Sequence, residues 1–215
     1  MRNRSLVWLA LAVLAGVAVS YGLRLGRPMG EDVGHSLAAQ RVLADARSPR
    51  RVPADFDLTL VVFSDYQCPA CRTAAPEMEA AVKRDGRVRV IYREWPIFGP
   101  VSEAAAAVAL AAHRQGRYIA VHQALLGAAS LDDATFRRAV EQAGGDWAGV
   151  QSTLAADRAG IAADLRASTG DALALGLRGT PSYLAGPLLI EGGLSRDEFL
   201  RAFAQARKAQ AERPR

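Results

Sequence analysis

Apolar residues run unbroken from Leu6 to Val19, and beyond that they come in short stretches whose period changes, which divides the chain into elements before any chemistry is considered. Between residues 26 and 54, Pro28, Gly30, Gly34, Pro49 and Pro53 interrupt any regular pattern. Only Ser36 to Ala46 has helical spacing, so this part predicts a linker with one short helix. Phe56 to Phe63 is rich in β-branched and aromatic residues and almost continuously apolar, as a central strand covered on both faces should be. A helix is predicted after Cys68, kinked at Pro76 by the missing amide hydrogen and ending near Asp85-Gly86. Val88 to Tyr92 alternates as a second strand, and Trp95-Pro96 and Gly99-Pro100 then break the chain.

Ser102 is the expected cap of an alanine-rich helix reaching Arg114, with Glu103 in its first turn. Further helices are predicted at Tyr118 to Leu126, Asp132 to Ala143 and Val150 to Leu175, with Gly144-Gly145 and Gly176 as stops. Two short strands follow, Ser182 to Ala185 and Leu188 to Glu191. Ser195 and Glu198 then form a capping box for a last helix with Phe199, Phe203 and Ala206 on one face. The predicted order is β-α-β, a helical block, then β-β-α.

Composition changes this picture little. The 215 residues are 50% apolar and 23% charged, ordinary values for a globular chain, and the length suits one domain with a sizeable insertion. The net charge of +5 comes with both signs interspersed. Arg201, Arg207, Lys208, Arg213 and Arg215 read as the solvated face and frayed end of the last helix, so no nucleic-acid partner is expected.

Charge matters more at the start, where Arg2 and Arg4 precede the apolar run and mark an export segment. Ala18 and Ser20 are small residues at a spacing that suits signal cleavage. The run, extended by Tyr21 to Leu23, is also just long enough to cross a bilayer, for which about 20 residues are needed. Arg24 and Arg27 beyond it blunt the charge asymmetry. Residues 1–25 are read as a signal anchor or signal peptide, with retention in the membrane favoured. The globular part is then periplasmic or otherwise extracytoplasmic in either case.

Cys68 and Cys71 are the only cysteines. Residues three apart on a helix lie about 5–6 Å from one another, a separation that a disulfide also requires. Pro69 suits the first helical position, which puts Cys68 at the positive end of the helix dipole, where a thiolate is stabilised. Cys71 falls one turn in and is expected to be the less accessible. On these grounds Cys68 is the candidate nucleophile and Cys71 the resolving thiol. Three other uses of the pair stay open at this level. A structural disulfide would close too short a loop to remove much chain entropy. A metal site would need two more ligands, and His35, His113 and His122 lie at no short spacing from the cysteines. Two inert core cysteines would not require a proline at the strand-to-helix joint. His113 and His122, among apolar neighbours, are read as packing or surface residues.

The element order, Phe63-Ser64-Asp65-Tyr66-Gln67-Cys68 leading into Pro69-Ala70-Cys71, Pro76 eight residues after the first cysteine, and Gly179-Thr180-Pro181 together resemble the DsbA-like thiol-disulfide oxidoreductases. These have a thioredoxin fold with an inserted helical subdomain. The resemblance covers about residues 55 to 205. It implies the first part of the fold at 55–100, the helical insertion at 101–177 and the second part at 178–210, after the linker at 26–54. It also implies a cis peptide at Thr180-Pro181, with Thr180 pairing an extended substrate by β-augmentation. Pro69 and Ala70 are then the supporting dipeptide between the cysteines. No cofactor beyond the redox-active disulfide is implied, and no metal. The implied partners are cysteine-containing exported proteins and a membrane redox partner, with the protein a monomer held to the membrane by its N-terminal helix.

Two positions depart from the pattern. Thioredoxin-fold oxidoreductases often bury a carboxylate six residues before the first cysteine, where this chain has Val62. Asp65 is the nearest alternative proton relay for Cys71, with a cap or loop hydrogen bond as its competing role. Pro69-Ala70 also lacks the histidine that stabilises the thiolate in the strongest oxidants. The expected direction is oxidation; reduction or isomerisation, and a metal-handling or scaffolding role without turnover, are the alternatives.

Overall fold

The computed structural model describes residues 28–213, together with positions 8, 11–13, 15 and 16. Most of the expected anchor or signal peptide at residues 1–25 lies outside the described residues. Among the described residues no helix is long and apolar enough to cross a membrane.

The central strand β3 (Leu58–Ser64) is buried at every position. Leu58, Leu60 and Val62 join the core cluster on one face of the sheet and Val61 and Phe63 the cluster on the other, as the period of two along a strand requires. Its partner β4 (Val88–Glu94) runs parallel to it, with Val62 opposite Tyr92 and Ser64 opposite Glu94. The parallel connection is made by α2 (Pro69–Asp85), which carries Pro76 inside it and ends at Gly86, where φ is 76°. That left-handed turn is open to glycine at little cost. On its other side β3 pairs antiparallel with β5 (Ser182–Ala185), and β5 with β6 (Leu188–Glu191). The last helix, α8 (Arg196–Ala211), starts with the expected Ser195–Glu198 capping box and buries Phe199, Phe203 and Ala206. It packs beside α2.

The stretch 26–54 is more than a linker. Its helix, α1 (Leu37–Leu43), is flanked by two short strands, β1 (Glu31–Asp32) and β2 (Arg50–Arg51). The first pairs with β6 and the second with β4, so the sheet has six strands in the order β1-β6-β5-β3-β4-β2. Each edge is thus a two-residue charged strand, a form that discourages pairing with another chain. Between these edges α1 crosses the face opposite α2, burying Ala39 and Val42 against Val61, Phe63 and Ile91.

The insertion comprises α3 (Pro100–His113), α4 (Tyr118–Gly127), α5 (Asp133–Gln142), α6 (Trp147–Ala156) and α7 (Arg158–Ala174). The helix expected over Val150 to Leu175 is two helices broken at Asp157, whose φ of −113° and ψ of 28° leave the helical region. Its carboxylate lies over Gly160, where a Cβ would meet Asp157 Oδ1 at 2.1 Å. Asp157 also accepts a hydrogen bond from Arg114 at 3.0 Å. Ser102 is likewise not a cap, because the helix begins two residues earlier at Pro100, with Gly99 as N-cap at φ 93°. The end of α7 returns to the sheet, where Ala172 and Leu175 complete the second face.

Candidate active site

Strand β3 ends at Ser64, and the next four residues turn the chain into α2. Asp65 organises that turn. It is 1% exposed, and its Oδ1 accepts from the Gln67 amide at 2.7 Å and the Ser102 hydroxyl at 2.5 Å. Its Oδ2 accepts from the amides of Ile97 and Phe98 at 2.6 and 3.0 Å. One carboxylate therefore fastens the turn before Cys68 to the loop after β4 and to α3. The Cys68 amide donates to the Asp65 carbonyl at 3.2 Å, which places Cys68 as the N-cap of α2 and Pro69 at its first position.

The helix start agrees with the sequence reading, but the placement of the sulfurs does not in two respects. Cys68 makes no capping contact with the helix amides. Both cysteines are free thiols, and Cys68 Sγ donates instead to the Thr180 carbonyl at 3.1 Å. Exposure does not separate the two cysteines either, since Cys68 is 3% and Cys71 2% exposed. Their distinction is positional: Cys68 caps the helix, with exposed Gln67, Pro69 and Ala70 around it, whereas Cys71 lies a turn inside. Burial pushes the Cys71 thiol well above its ordinary range, and charge on the neighbouring Cys68 adds to this, against a hydrogen bond to the Asp65 backbone. Cys71 is held as a thiol.

The Thr180-Pro181 peptide is cis. It lies just before β5, whose Ser182 is paired with Phe63 in register. Ser182 Oγ donates to the Gly179 carbonyl at 2.6 Å, and the Gly192 amide donates to the Pro181 carbonyl at 2.9 Å. The sheet register thus brings Thr180 to Cys68 and Cys71. A shallow groove between Ala70, Thr73 and Ala74 on one side and Gly193 and Leu194 on the other borders this cluster.

A second buried cluster lies behind the turn. Glu94, 2% exposed, accepts from the Tyr66 hydroxyl at 2.6 Å and from the Tyr118 hydroxyl. His122 Nδ1 is 2.8 Å from the Tyr66 hydroxyl and 3.6 Å from Glu94 Oε1. Burial and the adjacent Glu94 raise both tyrosines well above the ordinary phenol range, so they remain hydrogen-bond donors. His122, whose apolar neighbours in sequence suggest only a packing or surface residue, is buried in this cluster. The signal that could have found it is its place four residues after Tyr118, on the same helix face. Among the described residues no group of His, Cys, Asp and Glu side chains is placed to hold a metal ion.

Two exchangeable thiols at the head of the helix after the central strand, set against a cis Thr-Pro bond, are what a thioredoxin-fold thiol-disulfide oxidoreductase requires. Comparison with known proteins narrows this class: the model of the DSBA-like thioredoxin domain family matches residues 59–204, and the chain belongs to that family. A thioredoxin-like oxidoreductase from Silicibacter pomeroyi is 35% identical, with a TM-score of 0.73 over 79% of this chain and 97% of that one. The catalytic domain of Proteus mirabilis ScsC is 26% identical, with a TM-score of 0.71 over 81% and 98% of the respective chains. The thiol-disulfide exchange protein alpha-DsbA2 of Wolbachia pipientis shares the fold at 23% identity, with a TM-score of 0.72 over 77% and 90%. Among curated proteins, the Na(+)/H(+) antiporter NhaA 3 of Salinispora tropica is 33% identical over 82 residues, which is 37% of this chain and only 12% of that protein.

Proposed function

We propose that the protein oxidises cysteine pairs in other exported proteins through a Cys68–Cys71 disulfide. The observation that carries this reading is the position of Cys68 as N-cap of α2 with its sulfur against the Thr180 carbonyl. There the sulfur lies at the open end of the helix, and the Thr180 backbone is available to pair with an extended peptide beside it.

A substrate thiolate attacks Cys68 Sγ, forming the mixed disulfide as the Cys68–Cys71 bond breaks. Cys71 leaves with the bonding electron pair and takes up a proton. The substrate's second thiolate then attacks its own sulfur in the mixed disulfide and expels the Cys68 thiolate. The substrate has lost two electrons and the pair has gained them. A membrane redox partner removes them to restore the disulfide. In this proposal the protein works as an extracytoplasmic monomer anchored through residues 1–25.

The dipeptide between the cysteines is Pro69-Ala70, without the histidine that stabilises the thiolate in the strongest oxidants. The expected reduction potential therefore lies between about −270 mV, typical of thioredoxin, and about −120 mV, typical of DsbA. Titration against glutathione measures it, alongside conversion of a reduced, unfolded substrate to its native disulfide form. A potential at or below that of thioredoxin, with efficient disulfide reduction and no oxidation, would establish the reductase reading instead. Cys71→Ser should accumulate mixed disulfides with exported proteins and Cys68→Ser should not; the reverse pattern would exchange the two roles.

A further inference from the structure

Each exchange cycle makes Cys71 gain and lose a proton, yet the position that often carries a buried acid in this fold is Val62. Two acids are buried among the described residues, Asp65 and Glu94. Both Asp65 oxygens are occupied by the amides of Gln67, Ile97 and Phe98 and the hydroxyl of Ser102. Glu94 differs, because Oε1 holds two tyrosine hydroxyls while Oε2 is buried with no hydrogen-bond partner. An unpaired buried oxygen costs free energy that a purely structural side chain would avoid.

Glu94 is also in the right layer. Val62 is opposite Tyr92, and Ser64 opposite Glu94, in the parallel β3–β4 ladder. Alternation along the strands puts Val62, Tyr92 and Glu94 on one face, the face on which Tyr66, Cys68 and Cys71 share a core cluster. The carboxylate is thus one strand over from Val62 and one pleat nearer the redox turn. Tyr66, which it grips, is two residues before Cys68.

We propose that Glu94, with Tyr66, Tyr118 and His122, is the proton-holding group of the redox centre and takes the place of an acid at Val62. When the substrate thiolate opens the Cys68–Cys71 bond, Cys71 leaves as a thiolate and receives a proton from the cluster through a water hydrogen-bonded to Oε2. On reoxidation Cys71 returns that proton as its sulfur rejoins Cys68. His122 Nδ1, within 2.8 Å of the Tyr66 hydroxyl and 3.3 Å of that of Tyr118, links the carboxylate to a second titratable site. The other titratable groups around the cluster are Asp65, whose charge acts on Tyr66, and Tyr92, whose ring lies 5.0 Å from His122. Tyr92 is bonded in turn to Glu79, which pairs with Arg51, and His113 lies 6.1 Å from the Tyr118 ring. Glu94 touches neither sulfur in this arrangement, so it acts as a positioning residue rather than a catalytic one.

The inference rests on thiol-disulfide exchange at Cys68 and Cys71 and not on its direction, so it is tested with a model dithiol peptide and its disulfide, in both directions, on the full chain. Glu94→Gln keeps an acceptor for the two tyrosines and removes the exchangeable proton. The expected result is a drop of about tenfold or more in the rate at which Cys71 exchanges, since positioned proton transfer contributes about 10²–10⁴-fold. One limb of the pH-rate profile should also be lost, with the thermal midpoint little changed. Equal rates and an unaltered profile in a folded variant would overturn the proposal. Should Glu94→Gln fail to fold, the redox-difference infrared spectrum of the unaltered protein decides. A carboxyl band that changes with the state of the cysteines supports the proposal, and its absence overturns it. The glutathione potential tests direction separately, so failure of one reading leaves the other measurable.

Discussion

Replacing Asp65 separates a loop fastener from a proton relay. Its carboxylate receives four hydrogen bonds, from the amides of Gln67, Ile97 and Phe98 and the hydroxyl of Ser102. Bonds to a charged acceptor are worth about 1.5–3 kcal/mol each. In Asp65→Ala water can reach the amides of the exposed residues Gln67, Ile97 and Phe98, offsetting more than half of the loss. The expected destabilisation is about 3 kcal/mol, or roughly 6–12 °C in Tm for a chain of this size. Asp65→Asn is the sharper probe. With its oxygen toward Ile97 and Phe98, its NH2 group faces the Gln67 amide, donor against donor, while the Ser102 hydroxyl can rotate to accept. That is one lost bond and one repulsion, about 1–3 kcal/mol. Urea unfolding of oxidised and reduced protein measures this, and stopped-flow exchange with a dithiol peptide measures the chemistry. A loop fastener predicts lower stability and a several-fold slower exchange at every pH, with the shape of the pH-rate profile preserved. Unchanged stability with one limb of that profile missing would refute the reasoning and make Asp65 the relay.

Four further outcomes can be measured. In Cys68→Ser, where Cys71 is the only thiol, the folded state favours the protonated sulfur because burial raises it. Stability is therefore full below the unfolded thiol pKa of about 8.5 and falls above it, by up to about 1.4 kcal/mol per pH unit, which urea titrations between pH 7 and pH 10 would detect. Arg93 bridges Asp45 at 2.6 Å and Asp171, with its side chain 7% exposed, so Arg93→Met should cost about 3–5 kcal/mol, read as a shift in urea midpoint. Burial raises the Asp45 carboxyl, but hydrogen bonds from Ser48 and the Arg47 amide and the Arg93 charge outweigh this and leave it below its usual range. Its contribution is present above about pH 4 and is lost as pH falls through the lowered value. A reporter that is active only outside the cytoplasm, fused after Pro53, should work, and a silent reporter with a soluble cytoplasmic product would remove the export reading.

The parts of the fold that the sequence made legible are those where local pattern and packing coincide. The unbroken apolarity of β3 follows from burial on both faces, Pro76 and Gly86 mark the course of α2, and the Ser195–Glu198 box starts α8. Local pattern failed where a partner distant in sequence decides the structure. β1 and β2 are two residues long and charged, too short for any period, and exist because β6 and β4 offer open edges. Strand β4 continues beyond Tyr92 through Arg93 and Glu94, two charges that read as the end of a strand. Each is buried because its partners lie elsewhere: Asp45 and Asp171 for Arg93, and Tyr66, Tyr118 and His122 for Glu94.

The same distinction divides the active site. Cys68, Pro69 and Cys71 announce themselves through spacing and a helix start, whereas the environment that sets their reactivity comes from three other segments of the chain. Thr180 arrives through the β3–β5 register, two of the amides that Asp65 gathers come from the loop after β4, and the Glu94 cluster is closed by α4 of the insertion. Tyr118 and His122 both come from α4, so the proposed proton-holding cluster draws on the insertion. A change that shifts α4 should therefore alter the pH dependence of thiol exchange even where Cys68, Cys71 and Thr180 keep their places.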